Sequence, residues 1–412
     1  MVDSFVLRNG LRVFVERMPQ LRSVSIGVWV KAGSMLETPQ ENGLSHLIEH
    51  MAFKGTSMRT AKELAEEMDA IGGQMNAATS KLYTSYYAKV CEADLVKAVD
   101  LLADITLNPL TEEADLEKEK NVVLEEIAMG EDSPEDQAWD LMNEALYKGH
   151  SLSLPIIGDK EKVSGYTREQ VLAFRKKYYQ PANAVLSIAG RVHVDELRDI
   201  LEEKFAQWHG DLQSQYPANA VSPEAIKLAL DKKTEQVQLC IGYPGLDMDD
   251  REVFTLSVLN TILGGGVSSR LFQRIREEQG LVYSIYSSPT SYPGCGDFVI
   301  SAASTPIGAR KVLGQVQQEI DRFMADGATE KELIQAKAQL RTGLVLSQES
   351  AYARMSRTGS SQLIRNRQRT IGQILRSIDA ITGDRVMRLA RKTFGQAPSI
   401  AVVGRNAQRF LK

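Results

Sequence analysis

The sequence predicts an α+β fold made of two homologous α/β-sandwich domains, each a mainly antiparallel sheet with helices. Three observations carry this. The chain has 412 residues, more than the roughly 100–200 of one ordinary domain. It contains an internal repeat, the feature to seek before any other. Each half also alternates short strand-like runs with helical patterns, which is how layered α and β domains are written.

The repeat is clearest in residues 164–190, SGYTREQVLAFRKKYYQPANAVLSIAG, and 380–404, AITGDRVMRLARKTFGQAPSIAVVG. Thr167 matches Thr382, Val171 matches Val386, Lys177 matches Lys392 and Gly190 matches Gly404, at an offset of 215 slipping to 214. Each copy reads as a helix followed by a buried strand. The same offset lays SIGVWV (25–30) over CIGYPG (240–245), pairing Ile26 with Ile241 and Gly27 with Gly242. Between the copies, 209–223 has little apolar periodicity and two prolines, a linker composition. The expected division is a first domain over 1–208, a linker over 209–233 and a second domain over 234–412. Asn9-Gly10 between two apolar runs predicts a hairpin at the N-terminus. Residues 94–105 and 308–323 carry apolar positions at helical spacing.

Composition narrows the function. Lys plus Arg is 49 against 53 Asp plus Glu, a net charge of -4, which argues against nucleic-acid binding. No apolar run approaches the ~18 residues that span a bilayer. Three scattered cysteines, Cys91, Cys240 and Cys295, have neither metal-ligand nor redox spacing and read as free thiols in a reducing compartment. The first residues have no basic or hydrophobic leader pattern. A cytoplasmic enzyme is the expectation.

The segment that carries chemistry is ENGLSHLIEHMAFKGT, residues 41–56. At about 100° per residue on a helix, Leu44, Leu47, Ile48 and Met51 form a buried stripe and His46, Glu49 and His50 cluster opposite. Imidazoles at i and i+4 lie one turn apart and can share one metal ion. The carboxylate at i+3 stands beside them, close enough to take a proton from a water at that metal. Two of the chain's five histidines occur here, and H-x-x-E-H is a catalytic metal motif. A catalytic zinc needs a third protein ligand and an open position. Residues 113–140 read as helical, with Leu116, Val123 and Ile127 on one face. Glu119 and Glu126, seven apart, share another within about 20°. Spacing alone leaves Glu119, Glu125 and Glu126 open as the ligand.

The chain resembles the pitrilysin-type inverzincin metallopeptidases, and among them the bacterial members of the mitochondrial processing peptidase-like branch. The matching segments are GSMLETPQENGLSHLIEHMAFKGT (33–56), GGQMNAATS (72–80), EKEKNVVLEEI (117–127), RKKYYQPANAVLSIAG (175–190) and GGGVSSRLFQRIREEQGLVYSIYS (264–287). The resemblance covers the whole chain in order. It implies one Zn2+ per chain held by His46, His50 and Glu126. It implies Glu49 as general base and Glu119 as the support of a ligand histidine. It further implies that the second half is inert, since the repeat offset puts Thr261, Gly264 and Gly265 where the first half has His46, Glu49 and His50. That half would supply Arg276 and Tyr283 to the active site of a facing half, as donors to the oxyanion. Asn76 and Ala77 fall on the family's substrate-binding edge strand. One departure is Leu82, where the family usually has Glu.

The expected activity is zinc-dependent endopeptidase cleavage of peptides or unfolded segments inside a closed homodimer chamber. Asp136 and Asp140, four apart in an acidic stretch, suit a basic side chain near the cleaved bond. The alternative is a non-catalytic or partner-dependent subunit of a processing-peptidase-like complex. Neither nucleic acid nor membrane is an expected partner.

Overall fold

The computed structural model describes residues 2–217 and 224–411. It contains two sheets. The first has the order β1-β2-β6-β3-β5-β4, from β1 (Val2–Val6), β2 (Arg12–Arg17), β3 (Ser23–Val30), β4 (Gln74–Thr79), β5 (Thr84–Cys91) and β6 (Ala184–Gly190). The second has the order β7-β11-β8-β10-β9, from β7 (Lys227–Asp231), β8 (Val237–Pro244), β9 (Val282–Tyr292), β10 (Cys295–Ser304) and β11 (Ser399–Gly404). Gly10 takes φ 90° in the turn between β1 and β2, as the Asn-Gly hairpin signal requires.

The repeat read in the sequence is a repeat of topology. In the first sheet β2 pairs parallel with β6, and β6, β3, β5 and β4 follow antiparallel. In the second, β7 pairs parallel with β11, and β11, β8, β10 and β9 follow antiparallel. The matched residues do matching work. Thr167 and Thr382 cap the helices Arg168–Tyr178 and Gly383–Phe394, each accepting a bond from a backbone N–H of the first turn. Gly190 and Gly404 end β6 and β11 at φ 139° and 155°, where only glycine is at ease.

The chain folds into two compact units, and they are not the contiguous stretches 1–208 and 234–412 read from the sequence. The first unit comprises 1–127, 155–217 and 346–368; the second comprises 128–154, 218–345 and 369–412. The halves exchange a helix. Helix Ala351–Arg365 packs on β3 and β6, and helix Pro134–Leu146 packs on β8 and β11. The reason is burial. β3 is buried on both faces, so both need cover. Helices such as Leu44–Met51, Leu95–Leu107 and Arg168–Tyr178 cover one face. On the other, Trp29 and Val185 pack with Met355 and Leu363 of the exchanged helix. In the second unit, Met142 and Leu146 sit so close over Gly242 that any Cβ there would overlap them. The stretch read as linker over 209–233 contains β7, which belongs to the second sheet, so the second repeat begins earlier than its composition suggests.

Two further expectations differ in detail. The helical pattern over 113–140 is two helices, Glu113–Asp132 and Pro134–Leu146, because Pro134 lacks an N–H and starts a new helix at its first turn behind the cap Ser133. The expected helices at 94–105 and 308–323 are found at Leu95–Leu107 and Pro306–Asp326. No helix among the described residues is long and apolar enough to cross a membrane.

Candidate metal centre

Helix Leu44–Met51 carries the H-x-x-E-H residues. Leu44, Leu47, Ile48 and Met51 are buried as the spacing predicts, which turns His46, Glu49 and His50 to the other side. What fixes this short helix is a residue the sequence reading did not single out. The buried carboxylate of Glu37 accepts bonds from the backbone N–H of Gly43 at 2.8 Å and of Ser45 at 2.7 Å, and from Asn42 Nδ2 at 3.2 Å. It therefore satisfies N–H groups that a helix start leaves without partners, and sits where the helix dipole favours negative charge. Burial nonetheless holds its pKa above the usual carboxylate value, with these bonds pulling the other way.

Helix Glu113–Asp132 brings two carboxylates to the same place. Its Leu116, Val123 and Ile127 are buried, and Glu119 is buried with them. His46, His50 and Glu126 each present a ligand atom, all within 4.8 Å of one another. Glu126 Oε2 lies 3.8 Å from His46 Nε2 and 3.6 Å from His50 Nε2. Bonds of 2.0–2.2 Å to a tetrahedral zinc put its ligand atoms about 3.4 Å apart. The two nitrogen–oxygen separations exceed that by a few tenths of an ångström, and two imidazole nitrogens with one carboxylate oxygen are a donor set that zinc takes. The other open candidate, Glu125, is not part of this cluster.

Neighbouring groups restrain these side chains. Glu119 Oε2 lies 3.2 Å from His50 Nδ1, which fixes the ring and leaves Nε2 toward Glu126. Glu119 Oε1 lies 2.7 Å from Lys54 Nζ, four residues beyond His50 in the same segment. Burial, and next the neighbouring His50, bring the His46 pKa down to about 4, so its imidazole is neutral and its lone pair available at pH 7. Burial likewise raises Glu49 above the usual carboxylate value. A hydrogen bond from Thr79 and the charge of His50 oppose that rise, and the charge of Glu126 adds to it. The Thr79 hydroxyl donates to Glu49 Oε2 at 2.5 Å.

The remaining sequence-predicted residues fall in two other places. Asn76 and Ala77 lie on β4, which is an edge of its sheet. Asn76 is exposed, and its Oδ1 accepts from the backbone N–H of Ala77 at 2.8 Å. Leu82 is buried in the turn between β4 and β5, so the apolar residue at this position is part of the packing. Arg276, Tyr283, Asp136 and Asp140 belong to the second unit. Arg276 sits on a π-helical stretch, Phe272–Glu278, a form that is rare and frequent at functional sites. Its guanidinium lies 4.6 Å from the Phe272 ring and 6.0 Å from the ring of Tyr283, which is 73% exposed. Asp136 and Asp140 are exposed on helix Pro134–Leu146. Their neighbour Glu135 accepts a bond from Tyr286 at 3.0 Å, so part of the acidic stretch is engaged in packing.

Residues 12–160 match the insulinase model of peptidase family M16, and residues 165–340 match the M16 inactive-domain model. A zinc protease of Bacillus subtilis, itself uncharacterized, is 40% identical over 98% of both chains. The chain belongs to peptidase family M16. An uncharacterized zinc protease of Streptomyces coelicolor is 37% identical to this M16 chain over 98% of its length and 89% of the relative's. Among solved structures, a protease from Helicobacter pylori superposes with a TM-score of 0.93 at 21% identity, covering 98% of this chain and 99% of that one. A protein from Pseudomonas fluorescens described as a peptidase M16 inactive domain gives 0.91 at 21% identity, with 98% of each covered. Both share the two-sheet M16 fold. The inactive-domain match includes the positions where the repeat places Thr261 and two glycines, at the end of helix Val253–Leu263, against the histidines and Glu49 of the first half.

Proposed function

We propose that this M16 chain is a zinc-dependent endopeptidase that hydrolyses peptides and unfolded segments. One observation carries the reading: His46, His50 and Glu126 converge as three ligand atoms with Glu49 on the same helix face.

In this reading His46, His50 and Glu126 hold Zn2+, which when bound supplies Lewis acidity toward the scissile carbonyl and toward water. Glu49 takes a proton from the attacking water and returns it to the leaving amine. Its raised pKa suits both directions of transfer. Glu119 keeps His50 in the tautomer whose Nε2 is free to bind. The free edge of β4, with Asn76 and Ala77, takes the substrate backbone as an added strand. Arg276 and Tyr283 of a second copy approach the zinc site in a closed homodimer chamber and donate to the oxyanion. Their mutual proximity and the exposure of Tyr283 support a shared role. Asp136 and Asp140 favour a basic residue near the cleaved bond.

The test is peptide hydrolysis by the purified chain alone. A mixture of unstructured peptides, some arginine-rich, is incubated with wild type, with Glu49→Gln and with a chelated sample, and fragments are read by mass spectrometry. Cleavage by wild type alone, in a fraction that sizes as a dimer, is the expected result. No cleavage with one zinc bound per chain would favour a subunit that needs another partner. A cleavage profile indifferent to Lys and Arg would remove the basic-residue preference.

A further inference from the structure

We propose that Thr79 is a positioning residue for the general base: its hydroxyl holds Glu49 Oε2 and leaves Oε1 as the atom that receives and returns the proton. The inference rests on the hydrolase reading above and adds to it the residue that aims the base.

The argument is a count of protons. Thr79 has one hydroxyl proton and two oxygen neighbours, Glu49 Oε2 at 2.5 Å and Thr84 Oγ1 at 3.3 Å. Thr84 has already placed its own proton on the backbone carbonyl of Ala32, at 2.7 Å in the buried interior. It therefore has nothing to donate to Thr79. Between the two acceptors open to Thr79, the carboxylate is the closer and the charged one, and such bonds are about twice as strong as neutral ones. The proton of Thr79 points at Glu49.

The hydroxyl is also held still. Thr79 is the last residue of β4, and its backbone pairs with Thr84 of β5. Its branched Cβ restricts χ1, so the position of Oγ1 is set by the sheet. Glu49 has three side-chain torsions, and the hydroxyl of Thr79, with its backbone N–H beside it, is what restrains the carboxylate. A general base must sit within hydrogen-bond reach of the proton it takes, and freezing those torsions otherwise costs entropy at each turnover. Capping Oε2 divides the labour within one carboxylate: Oε2 anchors, and Oε1 takes the proton from water and passes it to the amine nitrogen. No net charge is created beyond that transfer. The placement also ties the base to the strand that receives substrate in the reading above. A peptide that adds to the free edge of β4 stiffens the residue that aims Glu49.

The experiment compares Thr79→Val, which keeps the branched shape without the hydroxyl, with Thr79→Ser, which keeps the hydroxyl. Steady-state kinetics on one unstructured fluorogenic peptide are measured with bound zinc and melting temperature for each. Thr79→Ala is included in case the valine does not fold. The expected result for the valine variant is one zinc per chain, an unchanged KM and a kcat lowered about 10- to 100-fold, the scale of a misplaced catalytic group. Serine is expected to restore most of the rate. Equal loss in valine and serine variants, a wild-type kcat without the hydroxyl, or an effect confined to KM or zinc content overturns the proposal while the hydrolase reading stands. A wild type no faster than Glu49→Gln overturns both.

Discussion

The carboxylate of Glu119 lies 3.2 Å from Nδ1 of His50 and turns the opposite nitrogen of that ring toward Glu126. Partners of this kind fix the tautomer and orientation of a ligand histidine, and their loss typically costs 10- to 100-fold in metal affinity. Glu119→Ala is therefore expected to weaken zinc binding by about that factor, read by competition with a chelator of known affinity. Glu119 is itself held by Lys54 at 2.7 Å. Lys54→Met is expected to act in the same direction and more weakly, because Glu119 would keep its contact with His50. An unchanged affinity in Glu119→Ala would mean that packing alone orients the ring.

A second support lies at the other end of the ligand helix. Glu37 accepts bonds from Gly43, Ser45 and Asn42, so its removal leaves three donors short of a partner in a buried place. Hydrogen bonds to a charged acceptor contribute about 1.5–3 kcal/mol each, and losses at one cluster are not additive. Glu37→Ala is expected to destabilise the first unit by about 3 kcal/mol and to weaken zinc binding, since the helix that carries both histidines loses its start. Chemical denaturation with and without zinc checks both parts. A variant with lowered zinc affinity and unchanged stability would show that Glu37 serves the metal alone.

Much of this site was legible because it is local. His46, Glu49 and His50 share a helix face by spacing, and the apolar residues between them say which face is buried. The repeat was legible because paired residues such as Thr167 and Thr382, or Gly190 and Gly404, meet the same backbone demand twice. What was not legible is tertiary. Periodicity shows that helix Ala351–Arg365 has an apolar side, and it cannot say which sheet that side covers. Spacing left Glu119, Glu125 and Glu126 open; the family resemblance implied Glu126, and the helix Glu113–Asp132 brings that residue to the histidines. Glu37, Lys54 and Thr79 lie inside segments that resemble the family, and no spacing assigns them a role. Glu37 offered the nearest signal, an acid a few residues before a helix with no side-chain cap at Gly43.

The exchanged helix makes a steric prediction. Gly359 faces Trp29, and an added Cβ would lie 2.4 Å from the indole ring, far inside contact distance. Trp29 is 1% exposed near the end of β3 and has nowhere to move. Overpacking of this kind costs about 1–3 kcal/mol. Gly359→Ala is expected to lower the melting temperature accordingly and to increase proteolysis at the ends of segment 346–368, which the helix holds against the first sheet. Gly314, with open space around its Cβ position, is the control: Gly314→Ala in helix Pro306–Asp326 is expected to be neutral or stabilising.

The second unit carries a pH dependence independent of the metal site. Asp297 is buried in β10, with Oδ2 accepting a bond from Tyr147 at 2.5 Å and Thr290 of β9 also bonding its carboxylate. Burial brings its pKa up to about 6, against 3.8 for an ordinary aspartate, with the bonds from Tyr147 and Thr290 opposing that rise. Below about pH 4 the group is protonated in folded and unfolded chains alike, and it takes nothing from stability. Between about 4 and 6 the unfolded chain ionises first, so stability falls as pH rises. Above about 6 the loss is complete and constant, on the order of 3 kcal/mol for a shift of this size. Asp297→Asn removes the ionisation and keeps an oxygen to accept from Tyr147. Its unfolding free energy is expected to lack this downward step between pH 4 and 6, so the gap between variant and wild type should widen in the variant's favour across that window. Parallel stability curves for the two proteins would show that Asp297 is ionised at little cost and that another contact offsets its burial.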